Sequence, residues 1–279
     1  MTIGQALKEA QRALGITEQE MSGDIISKSA YSRVVNGKRN IGSDLLVKLL
    51  LKNGIDINDF FSKIEDTYSP ESVKLEKSLS YKMAQAVNNH KKEQVKKYYI
   101  EISKARVSDY LKKRAKIAYY IFNNKVDALD NNFKRSVLED LNKNENWILN
   151  SKALRLFSSA ISVIPAKYVE LEISFFFRKI KRLSVISESM KERYASILGN
   201  YLHWKYNYEV ENGKIEIDEN VRNAISYLEQ LDSSPSTLIY IISARYYASL
   251  FEKNIEKAKK IKHGLIEMGC TLVVNNWPV

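Results

Sequence analysis

Apolar residues recur every three to four positions along almost the whole chain, the period of helices that bury one face. In the first 66 residues this pattern is cut into five short segments. Ile3, Ala6, Leu7, Ala10 and Leu14 share a face and predict a helix from about Ile3 to Leu14, with Gly15 as its C-cap. Thr17-Glu18-Gln19-Glu20 has the form of a capping box opening a second short helix. Ser27 can cap a third over 28–35, which Asn36-Gly37 closes. Ser43 or Asp44 caps a fourth, with Leu45, Leu46, Leu49 and Leu50 inward and Gly54 at its end. Asp56 opens a short fifth helix through Phe60 and Phe61.

Beyond Thr67 the segments lengthen. Helices are predicted near 71–88, 91–103, 106–124, 131–142, 145–162, 166–182, 187–210, 218–231, 236–252 and 254–268. They are separated at polar clusters such as Asn88-Asn89, Asp130-Asn131-Asn132 and Ser233-Ser234-Pro235. Paired helices with a period near 40 residues predict a tetratricopeptide-like α-solenoid. The expected fold is all-α: a five-helix helix-turn-helix domain over 1–66, then a helical repeat domain over 67–279 for ligand binding and dimerisation.

Composition supports that reading and narrows the function. Ten Gly and four Pro leave few hairpin turns. The formal charge is +11, but residues 1–66 hold nine Lys/Arg against nine Asp/Glu, so the whole excess lies beyond them. The single cysteine, Cys270, excludes an internal disulfide and suits a reducing cytoplasm. The start of the chain has no signal-peptide pattern, and no apolar run is long enough to span a bilayer; a soluble cytoplasmic protein without membrane contact is expected. His90, His203 and His263 form no zinc-binding frame, and no phosphate-binding glycine loop occurs. The expectation is no enzyme activity, no cofactor and no metal.

Five helices in about 65 residues, the second and third joined by a tight turn, fit the helix-turn-helix arrangement. The third would be the recognition helix, whose outward positions near its N-terminus reach base edges in the major groove. Those positions are Lys28, Ser29 and Ser32 or Arg33, and the cap Ser27 is counted with them in the DNA-binding set; Lys and Arg pair best with guanine. Tyr31 and Val34 face inward. Asn36, Lys38 and Arg39 follow the helix where a loop runs beside phosphates, and Thr17 can offer helix N-terminal amides to a phosphate. No acidic residue occurs between Asp24 and Asp44, so this face is locally positive.

These residues resemble the XRE-type helix-turn-helix family from Leu14 to about Phe61, with Asn36-Gly37-Lys38 after the recognition helix. More narrowly, Gly23 to Arg33 resembles the start of Rgg-type (Rgg/GadR/MutR) regulators, peptide-responsive bacterial transcription factors. Two departures stand out. Glu18 replaces a frequent Gln, and Val35 replaces a Glu that pairs with an Arg of the first helix, near Gln11 here. Asn146-Trp147 followed by Leu154-Arg155-Leu156-Phe157 resembles the same family further on. The resemblance implies a homodimer that binds double-stranded DNA, with a short signalling peptide on the concave side of the solenoid.

In a stacked solenoid the first helix of each pair faces that side. Those helices carry Tyr119, Tyr120, Asn123, Asn150, Arg155, Asn200, Trp204, Asn207, Tyr208, Arg245, Tyr246 and Tyr247. Asn donates and accepts to peptide backbone, Arg can hold a carboxylate, and Trp or Tyr supplies an apolar wall. The expected peptide-binding set is Asn150, Arg155, Asn200, Trp204, Asn207 and Tyr246. Two rival readings are a regulator governed by a protein partner and an interaction scaffold with no peptide ligand.

Overall fold

The computed structural model describes residues 1–143 and 146–279. Every regular element among them is helical, and the chain divides into two compact units, Met1–Lys77 and Ser78–Val279.

The first unit contains α1 (Ile3–Leu14), α2 (Glu18–Ser22), α3 (Lys28–Val35), α4 (Ser43–Lys52) and α5 (Ile57–Tyr68). Thr2 and Thr17 each close a full capping box, and Gly15 takes the left-handed conformation that ends α1. The fourth helix departs from expectation. Gly42 is its N-cap, without a side-chain cap, and Ser43 is its first helical residue. The fifth helix continues past Phe61 to Tyr68, because Phe60 and Ile64 both reach the core and its last turn holds the chain start. There the Met1 amino group donates to Thr67 Oγ1 at 2.9 Å, and the Ile3 N–H to the Tyr68 hydroxyl at 3.2 Å. Leu7, Met21, Tyr31, Leu49 and Leu50 are fully buried at the centre. Gly4 lets α1 lie against α3, since a Cβ there would stand 2.3 Å from the Val34 carbonyl oxygen.

α6 (Glu71–Asn88) begins in the first unit and ends in the second. The second unit continues with α7 (Lys92–Lys104), α8 (Asp109–Phe122), α9 (Asn131–Asn142), α10 (Ser151–Ala160), α11 (Ala166–Ile180), α12 (Glu188–Glu211), α13 (Glu219–Glu229), α14 (Leu238–Phe251), α15 (Ile255–Glu267) and α16 (Thr271–Val274). α8, α10, α12 and α14 pack side by side as one layer. α7 backs α8, α9 backs α10, α13 backs α12 and α14, and α15 backs α14. This alternation follows from the two-helix repeat: each helix buries one stripe against its own pair and another against the next repeat.

The predicted helix over 145–162 is not continuous. Position 145 lies outside the described residues; Trp147–Leu149 form a single 3-10 turn, and α10 starts only at Ser151. Trp147 causes the break. It is buried against Phe157, and its indole N–H donates to the Glu172 carboxylate at 3.0 Å. Burial pushes the Glu172 pKa up, while this bond opposes the shift. The short α16 and the tail through Val279 were not foreseen. Trp277 packs on Tyr246 at 4.5 Å, and Lys262 Nζ donates to the Trp277 and Val279 carbonyls at 2.7 and 2.9 Å. Among the described residues, no helix is long and apolar enough to cross a membrane.

Candidate nucleic-acid interface and ligand-facing helix layer

The α2–turn–α3 segment is built by two caps and one buried tyrosine. Ser27 Oγ accepts the Ala30 N–H at 3.2 Å and starts α3. Tyr31 is fully buried, its hydroxyl directed at the Leu7 carbonyl (3.3 Å) and Gln11 Oε1 (3.4 Å). Gln11 in turn donates to the Ile16 carbonyl at 3.0 Å. With Val35 buried beside them, an amide and apolar packing occupy the place where the resembling family carries an ion pair. No buried charge is left without a partner there.

That core orients the opposite face outward. Lys28, Ser29 and Arg33 on α3 are exposed, Ser32 is half-buried, and Asn36, Lys38 and Arg39 are exposed in the following loop. Among the described residues, Lys28, Arg33, Lys38 and Arg39 take part in no ion pair, so all four charges are available to an outside anion. Two expected contacts are already engaged within the fold. Asn36 Nδ2 donates to the Ser32 carbonyl at 2.9 Å, closing α3. The Thr17 N–H and hydroxyl both donate to Glu20 Oε2, at 2.7 and 2.8 Å. These bonds hold the Glu20 carboxyl below its ordinary value, so a charged carboxylate occupies the spot expected to receive a phosphate.

In the second unit the four-helix layer is laced by polar side chains. Arg114 Nε (α8) donates to Ser159 Oγ (α10) at 3.4 Å. Asn200 Nδ2 (α12) donates to Ser158 Oγ (α10) at 2.9 Å. His203 Nδ1 (α12) lies 2.8 Å from the Tyr247 hydroxyl (α14), and its Nε2 lies 3.1 Å from Asn207 Nδ2. The Asn207 amide can donate to Nε2, which leaves Nδ1 to carry the proton toward Tyr247. Burial lowers the His203 pKa, favouring this neutral form.

The expected peptide-binding residues fall on this layer with unequal freedom. Arg155 and Asn200 are exposed, Asn207 is half-buried, and Trp204 is half-buried with its ring stacked on Tyr208 at 5.3 Å. The Asn150 side chain caps α10, accepting the Lys152 and Ala153 N–H groups at 2.9 and 3.3 Å. Tyr246 requires a correction: it has no exposed surface, and its hydroxyl donates to the Pro278 carbonyl. The returning tail, invisible to periodicity, converts it from a candidate wall residue into core. Reasoning from sequence missed Arg114 and Arg193. Their separations from Arg155, 41 and 38 residues, match the repeat period and would have revealed them.

α12 is anchored from behind. Lys205, 7% exposed, reaches Glu170, Glu209 and Asp218 at 2.9, 3.0 and 2.9 Å, tying α11, α12 and the start of α13 together. Its far face carries Asn200, His203 and Asn207. No group of His, Cys, Asp and Glu among the described residues is arranged to hold a metal ion.

No protein-family profile matches the chain, and no curated protein matches it by sequence. Solved structures do match its fold. A Listeria monocytogenes protein assigned as a transcriptional regulator aligns with a TM-score of 0.72 at 17% identity, over 98% of this chain and 93% of that one. The SHP pheromone receptor Rgg2 of Streptococcus dysgalactiae, in a single-substitution variant, aligns at 0.68 and 15% identity, over 96% and 94%. Bacillus thuringiensis PlcR, solved with the peptide PapR7 and DNA, aligns at 0.59 and 14% identity, over 98% and 95%. The chain therefore has the fold of these regulators from end to end: a helix-turn-helix unit followed by a helical solenoid.

Proposed function

We propose that this chain is an Rgg-type transcriptional regulator, a dimer that reads DNA through α3 and responds to a short peptide laid across the α8–α10–α12–α14 layer. The observation that carries the reading is the end-to-end fold shared with PlcR, whose structure holds both a peptide and DNA. The geometry adds support at each end. On α3, Lys28 and Arg33 stand free toward solvent, as base-reading cations must. On the layer, Asn200 and Asn207 use only their amide nitrogens within the fold, which leaves their side-chain oxygens for an extended backbone. Thr17 and Asn36 take lesser roles in this reading, because their polar groups already serve the fold. The proposed protein works in the cytoplasm and without catalysis. The proposed division of labour places DNA reading in residues 1–66 and ligand binding with dimerisation in 67–279. By linkage, the peptide alters DNA affinity only as far as it binds two conformations unequally.

The test is fluorescence anisotropy of the full chain on DNA from upstream of its own gene, against scrambled DNA of equal length, across a salt series. Selective binding that is lost in Arg33→Ala is the expected result. Weak, equal binding to both DNAs refutes the regulator reading and leaves the interaction scaffold.

A further inference from the structure

Three arginines occupy corresponding places in successive repeats of the second unit: Arg114 on α8, Arg155 on α10 and Arg193 on α12. Ser159, one turn beyond Arg155 on α10, is the partner of Arg114. It receives the Arg114 Nε–H at 3.4 Å and donates to the Arg155 carbonyl at 3.0 Å. On α12, Arg193 lies two turns before Asn200, on the same face; Asn200 touches Ser158, one turn beyond Arg155. Arg114 and Arg193 are half-buried and Arg155 is exposed. Among the described residues, no carboxylate comes within 4.0 Å of any of the three guanidiniums.

Two other inward-reaching cations of the unit are matched by carboxylates: Lys113 by Asp140 at 2.5 Å, and Lys205 by three. The arginines instead burden one another. Burial first, then the charges of Arg155 and Arg193, push the Arg114 pKa down to about 10, and burial followed by Arg193 lowers that of Arg155. Gathering like charges at a partly buried site costs the free protein stability, a cost offset when a ligand brings the counter-charge.

We propose that Arg114, Arg155 and Arg193 form a clamp for a carboxylate of the bound peptide, either its terminal carboxylate or an Asp or Glu side chain. The inference rests on the peptide reading above and specifies the ligand's charge and direction. Guanidinium forks match carboxylate oxygens in pairs, so three can hold one acidic group from several sides. The acidic group lies at the α8–α10 end, and the rest of the peptide runs past Asn200 toward His203 and Tyr247. Four helices spaced about 8–10 Å apart span about 24–30 Å, the reach of about seven to nine extended residues.

The test uses the full chain and the Arg155→Gln/Arg193→Gln variant, keeping the more deeply placed Arg114. Thermal unfolding is followed in inorganic phosphate and in chloride at equal ionic strength. Phosphate is expected to raise the wild-type Tm above its chloride value by more than it raises the variant's. In chloride the variant should melt no lower than wild type, because repulsion is relieved. An equal phosphate effect on both proteins overturns the clamp. Octapeptide libraries, made as free acids and as C-terminal amides, are then retained on each immobilised protein and sequenced. Retention by wild type of free acids, or of amides containing Asp or Glu, at least about tenfold above acid-free amides is expected. The two cases identify the terminal and side-chain sources respectively, and the preference should vanish in the variant. Equal retention of acid-free amides overturns the clamp and leaves the peptide reading standing. No retention of any octapeptide refutes the peptide reading and the clamp with it.

Discussion

Lys205→Met tests whether the back of α12 is held by charge. The substitution fills nearly the same volume but leaves Glu170, Glu209 and Asp218 without their common cation. In the native protein burial alone would depress the Lys205 pKa, yet hydrogen bonds to Asp218, Glu170 and Glu209 push it well above the ordinary 10.5. The stabilisation is therefore complete at neutral pH and fades only as pH rises beyond that ordinary value. Breaking a buried pair by removing one partner costs about 3–5 kcal/mol. Glu170 and Asp218 are 28% and 38% exposed, so water shields part of the effect and the lower end, about 3 kcal/mol, applies. For a unit of roughly two hundred residues this lowers Tm by about 6–12 °C. Circular dichroism melting of both proteins gives the difference. Adding Asp218→Asn to Lys205→Met should recover about 1 kcal/mol. It removes one orphaned charge, and its side-chain oxygen still caps α13 through the Val221 N–H, a bond of 2.9 Å in the native protein. A single variant within about 1 kcal/mol of wild type, or a double variant with no recovery, refutes the reasoning.

Four further outcomes are expected. Lys28→Ala or Arg33→Ala should relax sequence choice at a cost of about 1–3 kcal/mol on a specific site, whereas Lys38→Ala or Arg39→Ala should weaken all sequences alike and flatten the salt slope by about one; competition anisotropy separates the two patterns, and reversed patterns would move the recognition surface. Thr17→Ala should destabilise the first unit by about 1 kcal/mol through loss of its cap. Because the folded Glu20 pKa is depressed, the stability difference between wild type and Glu20→Gln should shrink as pH falls below the ordinary 4.5; a constant difference in denaturant titrations from pH 6 to 3 contradicts the capping box. His203 is held neutral by burial, so wild type should lose stability as pH falls below 6.5, and His203→Gln should flatten that decline; parallel curves would mean that His203 charges freely in the folded state.

Much of the local architecture was legible before any coordinates, because it is written in short-range rules. Thr17 with Glu20, Ser27 before α3, Gly15 after α1 and Asp56 before α5 mark helix ends by hydrogen bonds that reach only three or four residues. On α1 and α3 helical spacing placed Leu7, Tyr31 and Val34 inside, as their burial shows, whereas Leu14, expected on the same face of α1, is 44% exposed at the helix end. The same rules failed where a distant group decided the outcome. The fifth helix outran its apolar signal because Thr67 and Tyr68 bind the chain start. The stretch around Trp147 broke into a turn because the indole had to reach Glu172, 25 residues on.

The candidate site divides along the same line. Sequence by itself determined which helices carry the candidate groups: a basic α3 with its loop, and Asn, Arg and Tyr on α8, α10, α12 and α14. Only tertiary structure decided which of those groups are free. It placed Tyr246 under the returning tail and gathered Arg114, Arg155 and Arg193 without a counter-charge, whereas Asn150, Asn36 and Thr17 are engaged by bonds only two to four residues long. The physical reason is that propensity and periodicity act through bonds a turn or two long. Whether a polar side chain is satisfied depends on partners 25 to 50 residues away, which the fold alone brings within 3 Å.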